Sequence, residues 1–445
     1  MFKKKFSYPV FLIIIILIIF LLIFGGFLKY RNDTGKNLSH FFSSIISNIQ
    51  TIIKHRTFQI NKPPILKKNK DKKRFVKFIP KKRTALLVLP RYDHALSRSI
   101  VEIINLENFK VIHTYKHDIL TMNNQVQNIK EFSKLKIDDS PIRFEYRHPL
   151  ILNDGSLISD SDYSIGFKID FCSNLEWIND EEVFHHSKML DSEGNILVGG
   201  LLNPNSKYVR KYQIKDFRDD AIIKINSNGK ILYKKSIIEI LIENEFLPEN
   251  FAITSPGIAQ LALDPIHLND IEPVFSDSNY WKKGDLFLSL RNLSAIIHYR
   301  PETNKVINYI VGPFAQQHDV DIISEKEISI FNNNNFFVNN EYSEVLIYNF
   351  ETKRFKKMFN NELKEENFKT STQGLSHILN DGSLMVEEQN HGRIILFNNK
   401  GLKEWEFVNK DANDNIGFVS WSRIIEDKLF IEKFRSLVEN KKCIN

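Results

Sequence analysis

His148-Pro149-Leu150-Ile151-Leu152-Asn153-Asp154-Gly155-Ser156-Leu157-Ile158 is echoed towards the C terminus by His377-Ile378-Leu379-Asn380-Asp381-Gly382-Ser383-Leu384-Met385. Both read as a strand, an Asn-Asp-Gly-Ser turn and a second strand. A degenerate copy covers residues 188–198. Glycine in such a turn supplies the positive φ that a tight hairpin loop requires. Further turns of this kind stand at Ser192-Glu193-Gly194-Asn195, Ser227-Asn228-Gly229-Lys230 and Asn399-Lys400-Gly401. Short apolar runs separate them, at residues 85–89, 110–115, 196–199, 221–225, 286–290, 344–348 and 393–397. A strand-turn-strand unit recurring about every forty residues predicts radially repeated sheets, and with long insertions at 118–142 and 236–256 the span holds roughly six. Helical periodicity is clear only at residues 236–246. The fold class expected is therefore all-β over residues 84–433, a six-bladed β-propeller in preference to a large β-sandwich, which would share the turns; a short tail follows at 434–445.

Working outward, residues 10–28 carry no charge and are rich in Ile, Leu and Phe. A helix of that length spans roughly 28 Å, close to the hydrocarbon thickness of a bilayer. Lys3, Lys4 and Lys5 precede it, and Gly25-Gly26-Phe27 is a poor cleavage site. The expectation is an uncleaved signal anchor within residues 1–29, a single transmembrane helix. The balance of flanking charge favours a cytoplasmic amino terminus only weakly. That orientation exports the body of the protein, which in a bacterium means anchorage in the inner membrane with the body in the periplasm. Residues 30–83 then form a connector. Phe41, Phe42, Ile45, Ile46, Ile49, Ile52 and Ile53 make the stripe of an amphipathic helix. Thirteen Lys or Arg residues crowd positions 54–83 of a chain whose formal net charge is +7, so the rest is slightly acidic. This run reads as a solvated tether before a lipid contact, and no stacking aromatics point to nucleic acid.

The totals bound the rest. At 445 residues with 35 phenylalanines there is ample material for a large core. Cys172 and Cys443 make neither a disulfide scaffold nor a metal cluster, and two unpaired thiols are favoured over a single bridge.

The chemistry lies in three histidine segments. Phe184-His185-His186 leads to Gly194-Asn195; His267-Leu268-Asn269 is followed by Ser289-Leu290-Arg291; Gln316-Gln317-His318-Asp319 runs to Phe331-Asn332-Asn333. They are too far apart for one helix or hairpin, so only a closed, repetitive fold brings them together. Imidazole, carboxamide and guanidinium at one point make a neutral nucleophile surrounded by donors for an anionic group. That suits transfer of a sulfuryl or phosphoryl group. Arg291 offers a planar fork of donors to the oxygens of such a group, and Asn269 a further hydrogen bond. His186, His267 and His318 are the candidates for nucleophile and proton carriers, in roles the residues alone leave open. His185 is read as pointing away along its strand, and His113, His148 and His377 as structural.

These segments resemble the arylsulfotransferase family, bacterial enzymes that move sulfuryl groups between phenols without an adenylyl-sulfate donor. The resemblance covers most of residues 85–430. Ala85-Leu86-Leu87-Val88-Leu89 followed by Val111-Ile112-His113-Thr114-Tyr115 resembles its first blade. His186 before Gly194-Asn195 is similar to its His-Asp segment, with Ser187 in place of the usual Asp. His267-x-Asn269, Ser289-x-Arg291 and Gln317-His318-Asp319 resemble the strands that hold its nucleophilic histidine and partners. The resemblance implies that His318 is the nucleophile, that Arg291 and Asn269 meet the sulfuryl oxygens, and that His186 and His267 give and take the phenolic proton in an order left open. The resemblance implies a six-bladed propeller with a site at one mouth of the channel. It also implies ping-pong transfer from an aryl sulfate donor to a phenolic acceptor, with no cofactor. The family's amino-terminal β-domain is not seen here, and the anchor and tether stand in its place.

Two other readings compete. Histidines around an axis can hold a divalent metal, although Arg291 beside a cation would be repelled. A non-catalytic propeller serving as a scaffold or binding module of the cell envelope would keep the fold without the chemistry.

Overall fold

A computed structural model describes residues 20, 22–29, 31, 65–68 and 74–443, except 129–131, 133–134, 136–138, 212–216, 247–251, 256–257 and 335–341. The chain divides into two compact units, Met1–Lys62 and Pro63–Asn445. In the first, residues 22–29 are helical. The apolar run 10–28 falls mostly outside the described residues, and the amphipathic stripe wholly outside. Among the described residues no helix is long and apolar enough to cross a membrane.

The second unit is all-β and propeller-like. Its sheets are antiparallel meanders in which each strand pairs with the next along the chain. Two four-stranded sheets run from Leu268–Pro273 to Lys305–Ile310 and from Val320–Ser324 to Arg354–Met358. A third combines Arg423–Ile425 with the three strands between Leu86–Asp93 and Lys110–Tyr115, so the end of the chain pairs with its beginning. A fourth runs from Leu375–Ile378 to Lys403–Val408 and gains Phe75–Lys77 as an outer strand.

Six separate blades were expected, and here the structure differs. These four sheets are separate, while the span from Arg147–Ile151 to Ile231–Ser236 forms one seven-stranded sheet. The cause is the 16-residue strand Leu175–Leu190, which runs on without a break. Its first half pairs with Ser164–Ile169 and its second with Ile196–Leu201.

The repeated hairpins lie where the turns require. Gly155 and Gly382 stand at φ 78° each, a conformation costly for any residue with a Cβ. Alternating side chains of each strand fill the spaces between sheets with Leu, Ile, Val and Phe, the apolar contact that drives closure. The expected helix is present as Ile237–Glu243, its N terminus capped by Ser236, whose Oγ accepts from Glu239 N.

Two further expectations need correction. Cys172 and Cys443 form a disulfide, with Cα atoms 5.2 Å apart. Their separation in sequence concealed it, because the fold returns the C terminus to the strands near residue 172. The tail is also more than a tail: Lys428–Asn440 is a helix capped by Asp427, burying Ile431 and Phe434. The basic stretch contributes structure as well. Arg83 is buried and its guanidinium bonds Glu404 and Ser383, pinning the chain to the last sheet.

Candidate active site

The strands Arg147–Ile151, Leu175–Leu190, Leu268–Pro273, Val320–Ser324, Leu375–Ile378 and Arg423–Ile425 all contribute walls to one cavity of about 450 Å³, which none of His186, His267, Arg291 and His318 lines. At one end of these strands, six residues adopt left-handed backbone: His148, His186, His267, Gln316, Gln373 and Trp421, with φ between 40° and 60°. Non-glycine residues pay about 1 kcal/mol or more each for this, and such strain collects at functional sites. At His186 the cause is visible. Val198 faces Lys188 but Gly199 faces His185, so His186 and Ser187 bulge out of register.

The bulges aim the imidazoles inward. The rings of His186 and His267 are 5.3 Å apart, and those of His186 and His318 6.4 Å. Trp421 closes one side, 6.1 Å from His186 and 6.3 Å from His318. The three histidines singled out from sequence therefore meet.

His318 is almost wholly enclosed. Its Nδ1–H donates to Asn333 Oδ1 at 2.6 Å, and its Nε2 accepts the backbone N–H of Gln373 at 2.8 Å. Both ring nitrogens are thus assigned to one neutral tautomer. Burial pushes its pKa down to about 3, so it stays uncharged at any working pH. Asn333 in turn donates to the carbonyls of Thr370 and Gln373, holding the same loop.

His267 is the more accessible ring, and its Nδ1–H donates to Asp264 Oδ2 at 2.7 Å. Asp264 also receives Arg218, whose guanidinium lies 4.3 Å over the Tyr163 ring. Burial drives His186 well below the usual imidazole range, and the charges of neighbouring rings add to this.

Arg291 and Asn269 differ from expectation in detail. Arg291 is near enough for its charge to act on His318, but its fork rests on Asn292 Oδ1 (2.7 Å) and Gln316 Oε1 (3.2 Å). Asn269 is fully buried and donates to the carbonyl of Gln317 at 2.9 Å, so it braces the strand leading to His318.

His185, expected to point away, instead lies in the site's wall. Its Nδ1 is 2.8 Å from His186 Nδ1, and the rings are nearly perpendicular. Sequence reading also missed Arg147, which is buried and acts on His186. With its amide oxygen towards Arg147, Gln373 accepts from Nη2 at 3.0 Å and donates to Gln389 at 3.1 Å. Nothing in the Arg147-His148 pair marked it beyond its place at the head of the repeated segment. Among the described residues no group of three or more His, Cys, Asp or Glu side chains is arranged to hold a metal ion.

The family profile of the arylsulfotransferases (ASST) matches residues 155–410, more than half of the chain. The chain belongs to the arylsulfotransferase family. Family membership supports a sulfotransferase enzyme, working between aryl sulfates and phenols. The matched span contains His186, His267, Asn269, Arg291 and His318. No curated protein matches the chain. Among solved structures, a Bacteroides caccae protein of unknown function is 12% identical, covering 77% of this chain and 100% of its own, with a TM-score of 0.46. Virginiamycin B lyase from Staphylococcus aureus is 11% identical, covering 78% and 98%, with a TM-score of 0.38. These likenesses are too distant to bear on activity.

Proposed function

We propose that this arylsulfotransferase works by a ping-pong mechanism through a sulfohistidine at His318, without an adenylyl-sulfate donor. The observation that carries the reading is the meeting of three imidazoles beside Arg291, with His318 kept neutral by burial and oriented by Asn333. The lone pair of His318 Nε2 attacks sulfur, an N–S bond forms and the S–O bond to the aryl group breaks. For this, Nε2 gives up the Gln373 N–H, which then faces a sulfuryl oxygen. The guanidinium of Arg291, turned from Gln316, balances the remaining sulfuryl charge. His267, whose Nδ1–H is held by Asp264, protonates the leaving phenolate. In the second half a phenol oxygen attacks the sulfuryl group, its proton passes to a neighbouring imidazole, and the N–S bond breaks so that His318 leaves, neutral again. Asn269 serves by bracing residue 317, a positioning part.

We read the seven-stranded sheet as two blades sharing the strand Leu175–Leu190, which with the four separate sheets makes six. The apolar run 10–28 and the lysines before it support an anchored protein facing the periplasm, and the disulfide fits an oxidising compartment. Resistance of the protein to carbonate extraction from membranes tests the anchor. The chemistry is tested by incubating the purified chain with p-nitrophenyl sulfate. An acid-labile gain of one sulfuryl mass on a peptide containing His318 is expected, and an adduct elsewhere would overturn the assignment.

A further inference from the structure

The family pattern places a carboxylate directly after the first site histidine, and here Ser187 stands there. Its Oγ accepts from Ile271 N at 3.1 Å and supplies no negative charge to His186. A carboxylate nevertheless reaches His186 by another route. Asp220 Oδ1 lies 3.2 Å from His185 Nε2, and His185 Nδ1 lies 2.8 Å from His186 Nδ1. Asp220 and His185 are both fully buried. Asp220 is held in place because its oxygens also accept the backbone N–H groups of His267 and Leu268, at 3.1 and 3.2 Å.

Two imidazole nitrogens 2.8 Å apart share one proton. His185 Nε2 makes no aligned hydrogen bond, but the carboxylate of Asp220 is its nearest charge, at 3.2 Å, and favours the tautomer with the proton on Nε2. His185 Nδ1 is then the acceptor, and His186 Nδ1–H donates to it. This leaves the lone pair of His186 on Nε2, which has no partner among the described residues. Gly199 makes the arrangement possible: a Cβ there would meet His185 Cε1 at 3.1 Å and its backbone oxygen at 3.2 Å.

We infer that Asp220 and His185 are positioning residues that make His186 the base for the acceptor phenol, an inference that rests on the transferase reading. The phenol O–H proton passes to His186 Nε2 as the phenol oxygen bonds to sulfur and the N–S bond of the sulfohistidine breaks. The resulting imidazolium gives its Nδ1 proton partway to His185, and the positive charge is met by Asp220. The groups facing His186 from other elements are His267, His318 and Arg147, each of which opposes its protonation. The nearby carboxylate, relayed through the His185 ring, offsets that opposition. His267 and His186 thereby take different tasks, acid on the donor side and base on the acceptor side. Their rings, 5.3 Å apart, allow the proton to return between turnovers.

The two half-reactions separate this role from a general one. In the full-length protein, His185→Phe should leave the burst of nitrophenol in the absence of acceptor unchanged. It should slow acceptor-dependent turnover about tenfold to a hundredfold, most for weakly acidic phenols. Gly199→Ala, which keeps His185 but crowds it, should show the same split at smaller size, and decides the matter if His185→Phe does not fold. Equal loss in both halves, or no loss in either, would overturn the inference. Nitrogen NMR of the histidines provides a readout independent of turnover. Wild type should show His186 protonated at Nδ1, and both variants a shifted or mixed tautomer. A wild-type chain with no nitrophenol burst would remove the transferase reading, while the tautomer would still decide the relay.

Discussion

His318 Nε2 accepts a 2.8 Å hydrogen bond from the backbone N–H of Gln373, so the nitrogen expected to attack is covered in the resting site. Removing the ring removes the acceptor of the sulfuryl group. His318→Ala should lower nitrophenol release by about three orders of magnitude or more. Turnover in the mutant within tenfold of wild type would exclude His318 as nucleophile.

Asn333 holds both His318 and the loop that covers it. Its side chain accepts from His318 and donates to the carbonyls of Thr370 and Gln373 at 2.9 and 2.8 Å. Asn333→Ala should cost about 2 kcal/mol of stability through these buried bonds. Activity should fall further than denaturant curves alone explain, because Nδ1 loses its fixed proton.

Arg291 tests the anion site. Arg291→Lys keeps the positive charge but loses the planar fork, and kcat/KM for aryl sulfates should fall about tenfold or more. Arg291→Ala should fall further. Equal kinetics for wild type and both variants would show that the guanidinium does not meet the sulfuryl group.

At the other end of the same strands four carboxyl groups share the cavity of about 450 Å³: Asp270, Glu272, Asp319 and Asp321. Burial pushes Asp270 and Asp321 up to about 7 and raises Glu272 and Asp319 well above the carboxylate range, with mutual repulsion adding at Asp270, Glu272 and Asp319. Arg423 opposes this, but its guanidinium bonds carbonyls such as Pro149 O rather than the acids. A carboxyl whose folded pKa is raised binds more protons folded than unfolded, so stability declines as pH climbs from about 4 to 7. The thermal midpoint should therefore fall between pH 5 and pH 8, and Asp321→Asn should flatten the decline. A midpoint that rises across that range would refute the account.

The disulfide between Cys172 and Cys443 closes a loop of 271 residues. By chain entropy such a link stabilises by up to about 5 kcal/mol. Cys443→Ser should lower the denaturation midpoint without altering the transferase kinetics, since the cysteines share a surface cavity with His113 and not with His186, His267 or His318. Thiol titration of the unfolded, unreduced wild type should find no free thiol.

Much of this was legible in the residues. The repeated Asn-Asp-Gly-Ser turns marked sheets because few residues tolerate their positive φ, and His186, His267 and His318 stood out by their partners. What stayed hidden depended on register. Alternation along an ideal strand sends His185 away from His186, and only the two-residue bulge opposite Val198 and Gly199 brings their Nδ1 atoms together. Asp220 sits at the head of an ordinary apolar strand, Asp220–Ile225, and nothing local links it to a histidine in the preceding hairpin. The merging of two meanders into one sheet likewise followed from strand length, which turns alone do not report.

The pairing of Arg423–Ile425 with the strand Leu86–Asp93 has a bearing on synthesis. A nascent chain lacks this sealing strand until residues 423–425 have been made. Until then the strand Leu86–Asp93 offers a naked edge to any neighbour, and a stop codon before position 423 would leave every copy with that edge exposed.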